Sequence, residues 1–524
     1  TAMSINQDVS GTYTNTAMSL QGGAFRARFQ ENGTGTSSGT RNWQFNADGY
    51  FNTWGVLSTN GSSSVTLSGY NSVVVPNAAT ASANFEGGPG YNSKGRLPAT
   101  QANFYYTYNI MKGSSYASQR MSVLETSFNP VSLNTVAQSM GVYGGRLVTI
   151  TTSGTPNAGE NIFVRYTTNG FTTSTIIQAT GSGSTWSATI PWQTSAVTFY
   201  VYSSNRSKSA IDADVTSFST QEVHDLSTLN LNNNAGANYT YTPLTGNIIV
   251  SATGGSTSGT YSSITGASGS LFAALNAGTH TGTVTALITA DITTETGATS
   301  LNNLAALTSL GIQPLGARTV SGAITAGSPL INFNGGDNVT IDGLNTGGNS
   351  LTISNTTNSA TSGTSTIRFV ADATNNTITN CTVLGSPSMA VGTNGGVIFF
   401  STGTTTGNDN NTISNCTIGS AGSNLASKGI YGNGSTTSTG IGNSGITITN
   451  NNFPDIFGAA VSSAGIYCAD GCNTWTITNN RLYQTGARTW TTGAQHSPIW
   501  LIGTSTTSGS QGYTITGNII GYGE

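Results

Sequence analysis

The last third of the chain repeats one short alternation of apolar and polar residues. The copies begin at Asn338 (NVTIDG), Asn375 (NNTITNCTVLG), Asn410 (NNTISNCTIG), Gly445 (GITITNNNF), Asn473 (NTWTITNNRL) and Gly512 (GYTITGNII). A period of two predicts a strand whose isoleucine points to one face and whose flanking threonines point to the other. The central isoleucines are Ile341, Ile378, Ile413, Ile448, Ile477 and Ile515, and successive steps are 37, 35, 35, 29 and 38 residues. We expect Ile378, Ile413, Ile448 and Ile477 to form one buried column.

A second apolar run lies upstream of each of the last five copies. These runs are rich in β-branched and aromatic residues, as strands are: Ile367-Arg-Phe-Val, Val397-Ile-Phe-Phe, Gly429-Ile-Tyr-Gly, Gly465-Ile-Tyr-Cys and Ile499-Trp-Leu-Ile. Constant strands joined by variable Gly, Ser, Thr and Asn spacers are typical of a coil with loops on one face. The spacers 400–410 and 431–444 have almost no apolar residue, so we expect them to be exposed and variable.

Asparagines recur two residues after the isoleucines, at Asn380, Asn415, Asn450 and Asn479. Asparagine tolerates a turn backbone, and its amide can bond its copies in coils about 4.8 Å away. The next position carries Cys381, Cys416, Asn451, Asn480 and Asn518. Identical residues at identical places in successive coils predict a parallel β-helix.

The rest of the chain also has the pattern of β structure. Residues 1–127 alternate short β runs with glycine-rich turns, which predicts a sandwich or small barrel. Residues 128–206 carry alternating strands at the spacing of an immunoglobulin-like β-sandwich, and 207–240 form a polar connector. We therefore predict an all-β protein, in which N-terminal β-sandwich-like modules precede a β-helix over 241–524.

One helix is expected at the start of the β-helix, between Ser270 and Gly278. Ser270 is a good N-cap, Gly278 a good C-terminal stop, and Leu271, Phe272 and Leu275 share one face. A short amphipathic helix there would cover the open core of the first coil.

Composition restricts the partners of the chain. Charged residues are 7% and the formal net charge is −3, against a usual charged fraction of about 25%. Because Lys and Arg are few, the chain offers little to a phosphate backbone or an anionic membrane. Nucleic acid is therefore not an expected partner. Aromatic residues are 9%, which indicates an ordered chain. No apolar run approaches the roughly 20 residues of a membrane span.

Several residues are candidates for ligand chemistry, and each has a structural alternative. The aromatic residues of the N-terminal modules either stack on sugar rings or pack in β cores; they are Trp43, Trp54, Tyr166, Trp186 and Trp192. Asp337 and Asp342 flank one strand and either bind calcium or cap turns. The three histidines, His224, His280 and His496, are too scattered for a triad or a metal site.

The four cysteines all lie in the predicted β-helix. Cys468 and Cys472 bracket a turn sequence, and they are either a small-loop disulfide or two unconnected thiols. Cys381 and Cys416 fall at the same place in neighbouring coils, where small apolar filling is the favoured role.

Residues 241–524 resemble the secreted right-handed parallel β-helix proteins of the pectin-lyase-like superfold, in the form found on Bacteroidota cell surfaces. The resemblance is carried by Tyr261-Ser-Ser with the following helix, Asn276-Ala-Gly-Thr-His-Thr-Gly, Gly316-Ala-Arg-Thr-Val-Ser-Gly, Asn338-Val-Thr-Ile-Asp-Gly-Leu and the Asn-Asn-Thr-Ile-Thr-Asn-Cys repeats. It implies an extracellular or cell-surface protein exported by the type IX pathway, with a C-terminal sorting domain that this sequence does not show. The Asp-Asp pair and Gly-His-Gly of the superfold's hydrolases are also absent from the sequence.

We therefore expect a non-enzymatic structural or adhesive protein with a rigid β-helical shaft, no cofactor unless calcium binds, and a polysaccharide or another cell surface as partner. The alternative is a polysaccharide-degrading lyase or hydrolase with an accessory sugar-binding module. Because Ile519 to Glu524 lie within a repeat, we also expect further repeats or another subunit to cover the last coil.

Overall fold

The computed structural model describes residues 130–216, 220–503, 505 and 510–522, with the backbone of two short strands further upstream. These strands, β1 (Thr66–Leu67) and β2 (Val73–Val74), pair antiparallel. The other strands predicted for 1–127 lie outside the described residues. The described chain is mostly β, with antiparallel sheets followed by a parallel β-solenoid of about 6 turns, so the all-β prediction is confirmed.

The described residues separate into two compact units. The first comprises the chain up to Gln138, Leu147–Ile190 and Ser195–Tyr241; the second comprises Ser139–Arg146, Pro191–Thr194 and the chain from Thr242 onward. None of the described helices is long and apolar enough to cross a membrane.

The first unit is built from two antiparallel sheets. Its strands are β3 (Leu133–Met140), β4 (Arg146–Thr152), β5 (Asn161–Thr167), β6 (Thr175–Gln178), β7 (Thr180–Ser182), β8 (Thr185–Ile190), β9 (Val197–Ser204), β10 (Asn230–Asn232) and β11 (Tyr239–Tyr241). One sheet has the order β3-β4-β8-β7; the other has the order β10-β9-β5-β6, with β11 also on β9. Val148, Val164 and Phe199 belong to one buried cluster of this unit. The central strands β5 and β9 are buried on both faces, because alternate residues point to opposite sides of a strand and those on the other side belong to a second cluster.

Residues 207–240, expected to be a polar connector, fold as part of the first unit. They form helices α1 (Lys208–Asp214) and α2 (Thr220–Ser227), a 3₁₀ turn at Asn234–Gly236, and the strands β10 and β11 that pair with β9. Ile211 of α1 and Val223 of α2 are buried in one cluster with Phe163 and Tyr202. A few apolar residues among many polar ones are enough to attach this segment.

The second unit is the solenoid. Its helix is α3 (Leu271–Asn276), and 3₁₀ turns occur at Val142–Gly144 and Thr439–Ile441. Its strands are β12 (Ile248–Gly255), β13 (Ser258–Tyr261), β14 (His280–Ile288), β15 (Leu301–Asn302), β16 (Leu307–Pro314), β17 (Ala317–Gly322), β18 (Pro329–Asn334), β19 (Val339–Asp342), β20 (Ser350–Ser359), β21 (Ser365–Val370), β22 (Thr377–Thr379), β23 (Cys381–Pro387), β24 (Gly396–Phe400), β25 (Thr412–Ser414), β26 (Thr417–Ser420), β27 (Lys428–Gly432), β28 (Asn443–Ser444), β29 (Thr447–Thr449), β30 (Asn452–Pro454), β31 (Ser463–Cys468), β32 (Cys472–Asn473), β33 (Thr476–Thr478), β34 (Arg481–Gln484), β35 (His496–Leu501), β36 (Thr514–Thr516) and β37 (Ile519–Tyr522).

Three long sheets run along the solenoid. The first has the order β13-β12-β14-β16-β19-β22-β25-β29-β33-β36, the second β17-β20-β23-β26-β30-β34-β37, and the third β15-β18-β21-β24-β27-β31-β35. Each repeated coil passes through the first, second and third sheet in turn, and all strands from β14 onward pair in parallel. β28 and β32 form a small additional sheet.

The isoleucines of the repeat form one column in the first sheet. Ile341 pairs with Ile378, and the column continues through Ile413, Ile448 and Ile477. Ile378, Ile413, Ile448 and Ile477 are all 0% exposed and belong to the main core cluster. The number of residues between successive isoleucines varies because the spacers differ in length. Each coil nevertheless contributes an equivalent strand to this sheet.

The asparagines after these isoleucines make the turn between the first and second sheets. Asn380, Asn415, Asn450 and Asn479 have φ values of 55°, 53°, 57° and 56°, in the left-handed region that asparagine tolerates better than most residues. Each therefore separates two strands of different sheets, β22 from β23 in the case of Asn380. In the sequence, NNTITNCTVLG has the pattern of one continuous segment, so the sequence does not predict that Asn380 divides it between two sheets.

The amide ladder expected at these asparagines occurs one residue later. Among the described hydrogen bonds none joins the amides of Asn380, Asn415, Asn450 and Asn479. The Nδ2 atom of Asn451 donates to Oδ1 of Asn480, and that of Asn480 donates to Oδ1 of Asn518, both at 3.0 Å. Asn451 and Asn480 are buried, and a buried amide is stable only when it is bonded.

The helix α3 lies where the sequence predicts it. Oγ of Ser270 accepts from the backbone N–H of Ala273, as an N-cap does. Leu271, Phe272 and Leu275 are buried in the main core cluster, and the ring of Phe272 lies 6.3 Å from that of Phe333 in β18. The helix thus fills the core at the start of the solenoid.

Candidate functional site

The aspartates of the solenoid bond to the following coil. The chain has seven between 242 and 522, and the partners of their side chains are Thr319 for Asp291, Thr374 for Asp337, Asn380 for Asp342, Thr404 for Asp372, Ser444 for Asp409, Thr485 for Asp455 and Ser505 for Asp470. Six of these partners donate a backbone N–H. The carboxylates therefore cap the turns of neighbouring coils.

Asp372 has the densest set of such bonds. Its carboxylate accepts the backbone N–H groups of Thr404, Thr405, Thr406 and Gly407 and the hydroxyl of Thr404. Partial burial raises the pKa of Asp372, but the bonds from Thr404, Thr405 and Gly407 outweigh it and bring the pKa well below its ordinary value. This carboxylate holds the loop of the next coil in place.

The calcium candidates Asp337 and Asp342 have the bonds that turn capping predicts. Oδ1 of Asp337 accepts from the backbone N–H of Thr374 at 2.7 Å, and Oδ1 of Asp342 accepts from that of Leu344 at 2.8 Å and from the amide of Asn380. Within the described ranges, no three His, Cys, Asp or Glu side chains gather as metal ligands.

The three histidines have separate partners. His224 bonds the hydroxyl of Tyr202 at 3.2 Å, His280 that of Tyr261 at 2.6 Å, and His496 that of Ser463 at 2.9 Å. Burial, and then the nearby charge of Arg165, lower the pKa of His224 to about 3. Each imidazole is bonded inside the fold, far in sequence from the other two.

The structure corrects one of the sugar-stacking candidates. Tyr166 is 8% exposed and lies in the core of the first unit, so its ring has no free face for a sugar. Trp186 is half-buried, and its indole N–H donates to the carbonyl of Gly183; that of Trp192 donates to the carbonyl of Leu244. Trp43 and Trp54 lie outside the described residues.

All four cysteines are free and buried. Burial, and then the neighbouring Cys472 thiol, raise the pKa of Cys468 well above its ordinary value. The thiol of Cys472 donates to the carbonyl of Asp470 at 3.8 Å. The thiols of Cys381 and Cys416 donate to carbonyls two residues upstream at 3.1 Å. Cys381 and Cys416 stand at the same place in their coils as Asn451 and Asn480 do in the following coils. The backbone N–H of Cys416 donates to Oδ1 of Asn451, which joins the two parts of this column.

A buried lysine is the main polar feature that the sequence analysis missed. The ammonium of Lys428 in β27 donates to the carbonyls of Ala390, Val391 and Thr393 and lies 4.1 Å from the centre of the Tyr431 ring. Burial lowers the pKa of Lys428 to about 7. The carbonyls and the ring supply the negative field that a buried cation needs, so Lys428 closes the loop before β24. The run Lys428-Gly-Ile-Tyr alone reads as an ordinary strand.

The outer face of the third sheet carries stacked aromatic rings. The centroids of Phe399 and Tyr431 are 5.5 Å apart, those of Tyr431 and Tyr467 are 5.2 Å apart, and Trp500 follows at 5.5 Å. Phe399, Tyr431 and Tyr467 are buried under the adjoining loops. They stabilise the coil rather than offer a platform to a ligand.

One tryptophan of the solenoid is exposed. Trp490 is 44% exposed, and its ring is held at 62° against that of the buried Phe457, with centroids 5.2 Å apart. Two residues earlier, Arg488 bonds the carboxylate of Asp455 and Oε1 of Gln484. An exposed indole face is suited to stacking on a sugar ring, and a guanidinium is suited to bonding hydroxyls.

Comparisons of the chain with protein-family models, with curated proteins and with solved structures found no match. In the part of the chain that the structure describes, the groups set out above are capped carboxylates, bonded histidines, buried thiols and one exposed indole.

Proposed function

We propose that this chain is a non-enzymatic structural or adhesive protein of the cell exterior, in which the solenoid is a rigid shaft. The observation that carries the proposal is that all seven solenoid aspartates bond to the following coil. The aspartates of this unit thereby hold one coil on the next. A stack fixed in this way resists bending, which suits a shaft that presents contact surfaces.

The same bonds weigh against the enzyme alternative. Hydrolysis of a glycosidic link uses two carboxylates that face each other across the bond, one of them protonated. Burial raises the pKa of Asp455, but the hydrogen bonds from Thr485 and then the ion pair with Arg488 outweigh it and lower the pKa. The lowered pKa favours the ionised form of Asp455. Asp372 is held ionised by its loop. Neither is poised as a general acid.

The finer assignment rests on the resemblance. A right-handed, pectin-lyase-like coil, export by the type IX pathway and attachment to the outer cell surface are consistent with the repeated Thr-Ile-Thr strands and with a sequence in which only 7% of the residues are charged. The immunoglobulin-like character of 128–206 is part of the same proposal.

The contact that we propose for a polysaccharide is Trp490 with Arg488. The exposed indole stacks on a pyranose ring and the guanidinium, held by Asp455, bonds its hydroxyls. Tryptophan supplies a large apolar surface for one face of such a ring.

Affinity electrophoresis of the whole chain in a panel of soluble polysaccharides tests this function. Retardation in one of them by the unchanged protein, lost in Trp490→Ala but kept in Leu501→Ala, is the expected result. Leu501 is also exposed, at 38%, and serves as the matched control. Equal retardation of all three proteins would show that Trp490 is not part of the contact. In a separate assay, release of reducing or unsaturated ends from uronic-acid polymers would establish the enzyme alternative instead.

A further inference from the structure

The outer face of the first sheet presents two columns of hydroxyl side chains. One column runs through Thr340, Thr377, Thr412, Thr447, Thr476 and Thr514, and the other through Asp342, Thr379, Ser414, Thr449, Thr478 and Thr516. The buried isoleucine column lies between them in sequence and on the other face. Ten of these twelve positions are threonine.

This uniformity is specific to the first sheet. The outward column of the second sheet changes along the same coils, through Thr352, Thr382, Thr417, Asn452, Arg481 and Ile519. The outward column of the third sheet changes from Asn332 and Arg368 to aromatic rings. A general preference of strands for threonine acts on all three sheets. It does not explain why only the first sheet keeps at least one threonine in every coil from β19 onward, whereas the preceding strand β16 has Gly311 at the place of Thr340.

The spacing of the columns is set by the fold. Successive coils lie about 4.8 Å apart, and two outward positions of one strand lie about 6.6 Å apart. The buried amide ladder and the isoleucine column hold every coil in the same register, and side-chain ladders of this kind keep a long sheet flat. The hydroxyls therefore form a regular rectangular lattice with these two spacings.

The residues of this lattice are partly exposed: Thr340, Thr514 and Thr516 are exposed, and the other nine are half-buried. In the column from Thr377 to Thr514, no side-chain hydrogen bond to another protein group is described. None of these hydroxyl oxygens is a fully buried atom without a partner, so each has some access to water. In the second column the hydroxyls of Ser414 and Thr478 donate to those of Thr379 and Thr449, both at 3.0 Å, which fixes their rotamers. Asp342, at the first coil, is the only charged side chain of the twelve.

We propose that this threonine face binds ice. Water oxygens on the faces of hexagonal ice repeat in two dimensions at distances close to the two spacings of the lattice. Threonine offers a hydroxyl that joins such a layer and a methyl group that orders the water around it. A rigid surface that already matches a crystal loses little entropy on binding.

A crystalline polysaccharide is the competing flat partner, and the composition of the face argues against it. Sugar rings are bound by aromatic faces with charged or bidentate polar groups beside them. The twelve positions contain no aromatic residue, no arginine and no lysine. The proposed polysaccharide contact at Trp490 lies on another part of the coil, so the two proposals stand or fall separately.

Partition of the whole chain into a slowly growing ice hemisphere tests the proposal. We expect the unchanged protein to enter the ice and to slow ice recrystallisation, and Thr447→Lys, in the middle of the lattice, to lose both effects. Thr436→Lys places the same side chain in an exposed spacer and should behave as the unchanged protein. Circular dichroism melting of all three establishes that they are folded.

Exclusion of the folded, unchanged protein from ice would overturn the proposal, and so would equal incorporation of Thr447→Lys. Thr447→Val provides a second variant if the lysine prevents folding: it keeps the shape and the methyl groups, and a reduced incorporation supports a role for the hydroxyl lattice. Sedimentation with microcrystalline cellulose that Thr447→Lys abolishes, without entry into ice, would assign the face to a polysaccharide instead.

Discussion

A buried side-chain amide is stable in this solenoid because the coil above or below offers a matching amide. Oδ1 of Asn480 accepts both the backbone N–H and the Nδ2 of Asn451, and Nδ2 of Asn480 donates to the carbonyl of Ile448. Each bond alone contributes about 1 kcal/mol, whereas an unpaired buried group costs about 1 to 3 kcal/mol. The ladder is therefore cooperative, and the loss of one member affects two coils.

Asn480→Leu should lower the free energy of unfolding of the solenoid by about 2 to 4 kcal/mol, because it leaves the Asn451 donors and a carbonyl unpaired. Denaturant titration followed by circular dichroism measures the change. The neighbouring exposed turn residue offers the control: Asn479→Gly keeps the left-handed φ of 56° and should cost less than about 1 kcal/mol. Equal effects of the two substitutions would show that the ladder is not the stabilising feature.

Asp372→Asn should destabilise the solenoid in a pH-dependent way. Because the pKa of Asp372 is lower in the folded chain than in the unfolded one, its stabilisation is complete above the unfolded value of about 3.9 and is lost as the pH falls through the folded value. The difference between the two proteins should thus be largest at neutral pH and shrink in acid. Asp212→Asn, in an exposed pair with Lys208, should change little at any pH. A pH-independent difference for Asp372→Asn would contradict the assignment of the charged cap.

The residues at this scale were only partly predictable. The isoleucines follow from period two, because alternation alone decides which face is buried. The position of the amide ladder does not follow from the sequence, because Asn450 and Asn451 are both asparagine. Only the left-handed backbone at Asn450 makes it the turn residue and leaves Asn451 for the ladder. The burial of Lys428 depends on carbonyls some 35 to 38 residues away.

At the scale of elements, the spacers differ from the simple expectation. Thr404–Thr406 and Thr436–Gly440 are exposed, as their composition predicts. Asn408 and Asn443, inside the same spacers, are 0% exposed: Nδ2 of Asn408 donates to Oδ1 of Asn443, and Nδ2 of Asn443 donates to the carbonyl of Ser401. The expectation that these spacers lack core residues is therefore wrong at their ends. Polarity indicates exposure only where a polar group has no partner inside.

Replacing Thr436–Gly440 by five Gly and Ser residues should leave the melting temperature nearly unchanged, because this segment buries almost nothing. Asn443→Ala, three residues later, should lower it by several degrees, since it removes the oxygen that accepts the backbone N–H and the Nδ2 of Asn408, and one donor to the carbonyls of Phe400 and Ser401. Thermal melts of both variants measure the contrast. A large loss from the spacer replacement, or none from Asn443→Ala, would contradict this division of the spacer.

At the scale of the whole solenoid, the repeat determines the fold because each coil presents the same strands at the same places. The first and third sheets could be predicted from the repeated runs, as could α3 at the first coil. The second sheet could not, because its strands follow the first-sheet strands across a single asparagine and their outward residues vary from coil to coil. Nor was the fold of 207–240 foreseen, since its few buried residues, Ile211 and Val223 among them, are set among polar ones.

Distances along the threonine column test the central claim, that the coils stack in one register whatever the length of their spacers. Spin labels at Thr340→Cys paired with Thr447→Cys, Thr476→Cys or Thr514→Cys span three, four and five coils. The predicted separations are about 14, 19 and 24 Å, at about 4.8 Å per coil. The last two increments should be equal although they correspond to 29 and 38 residues of chain. Unequal increments that follow the number of residues, or broad distributions without a preferred distance, would contradict the stacked solenoid.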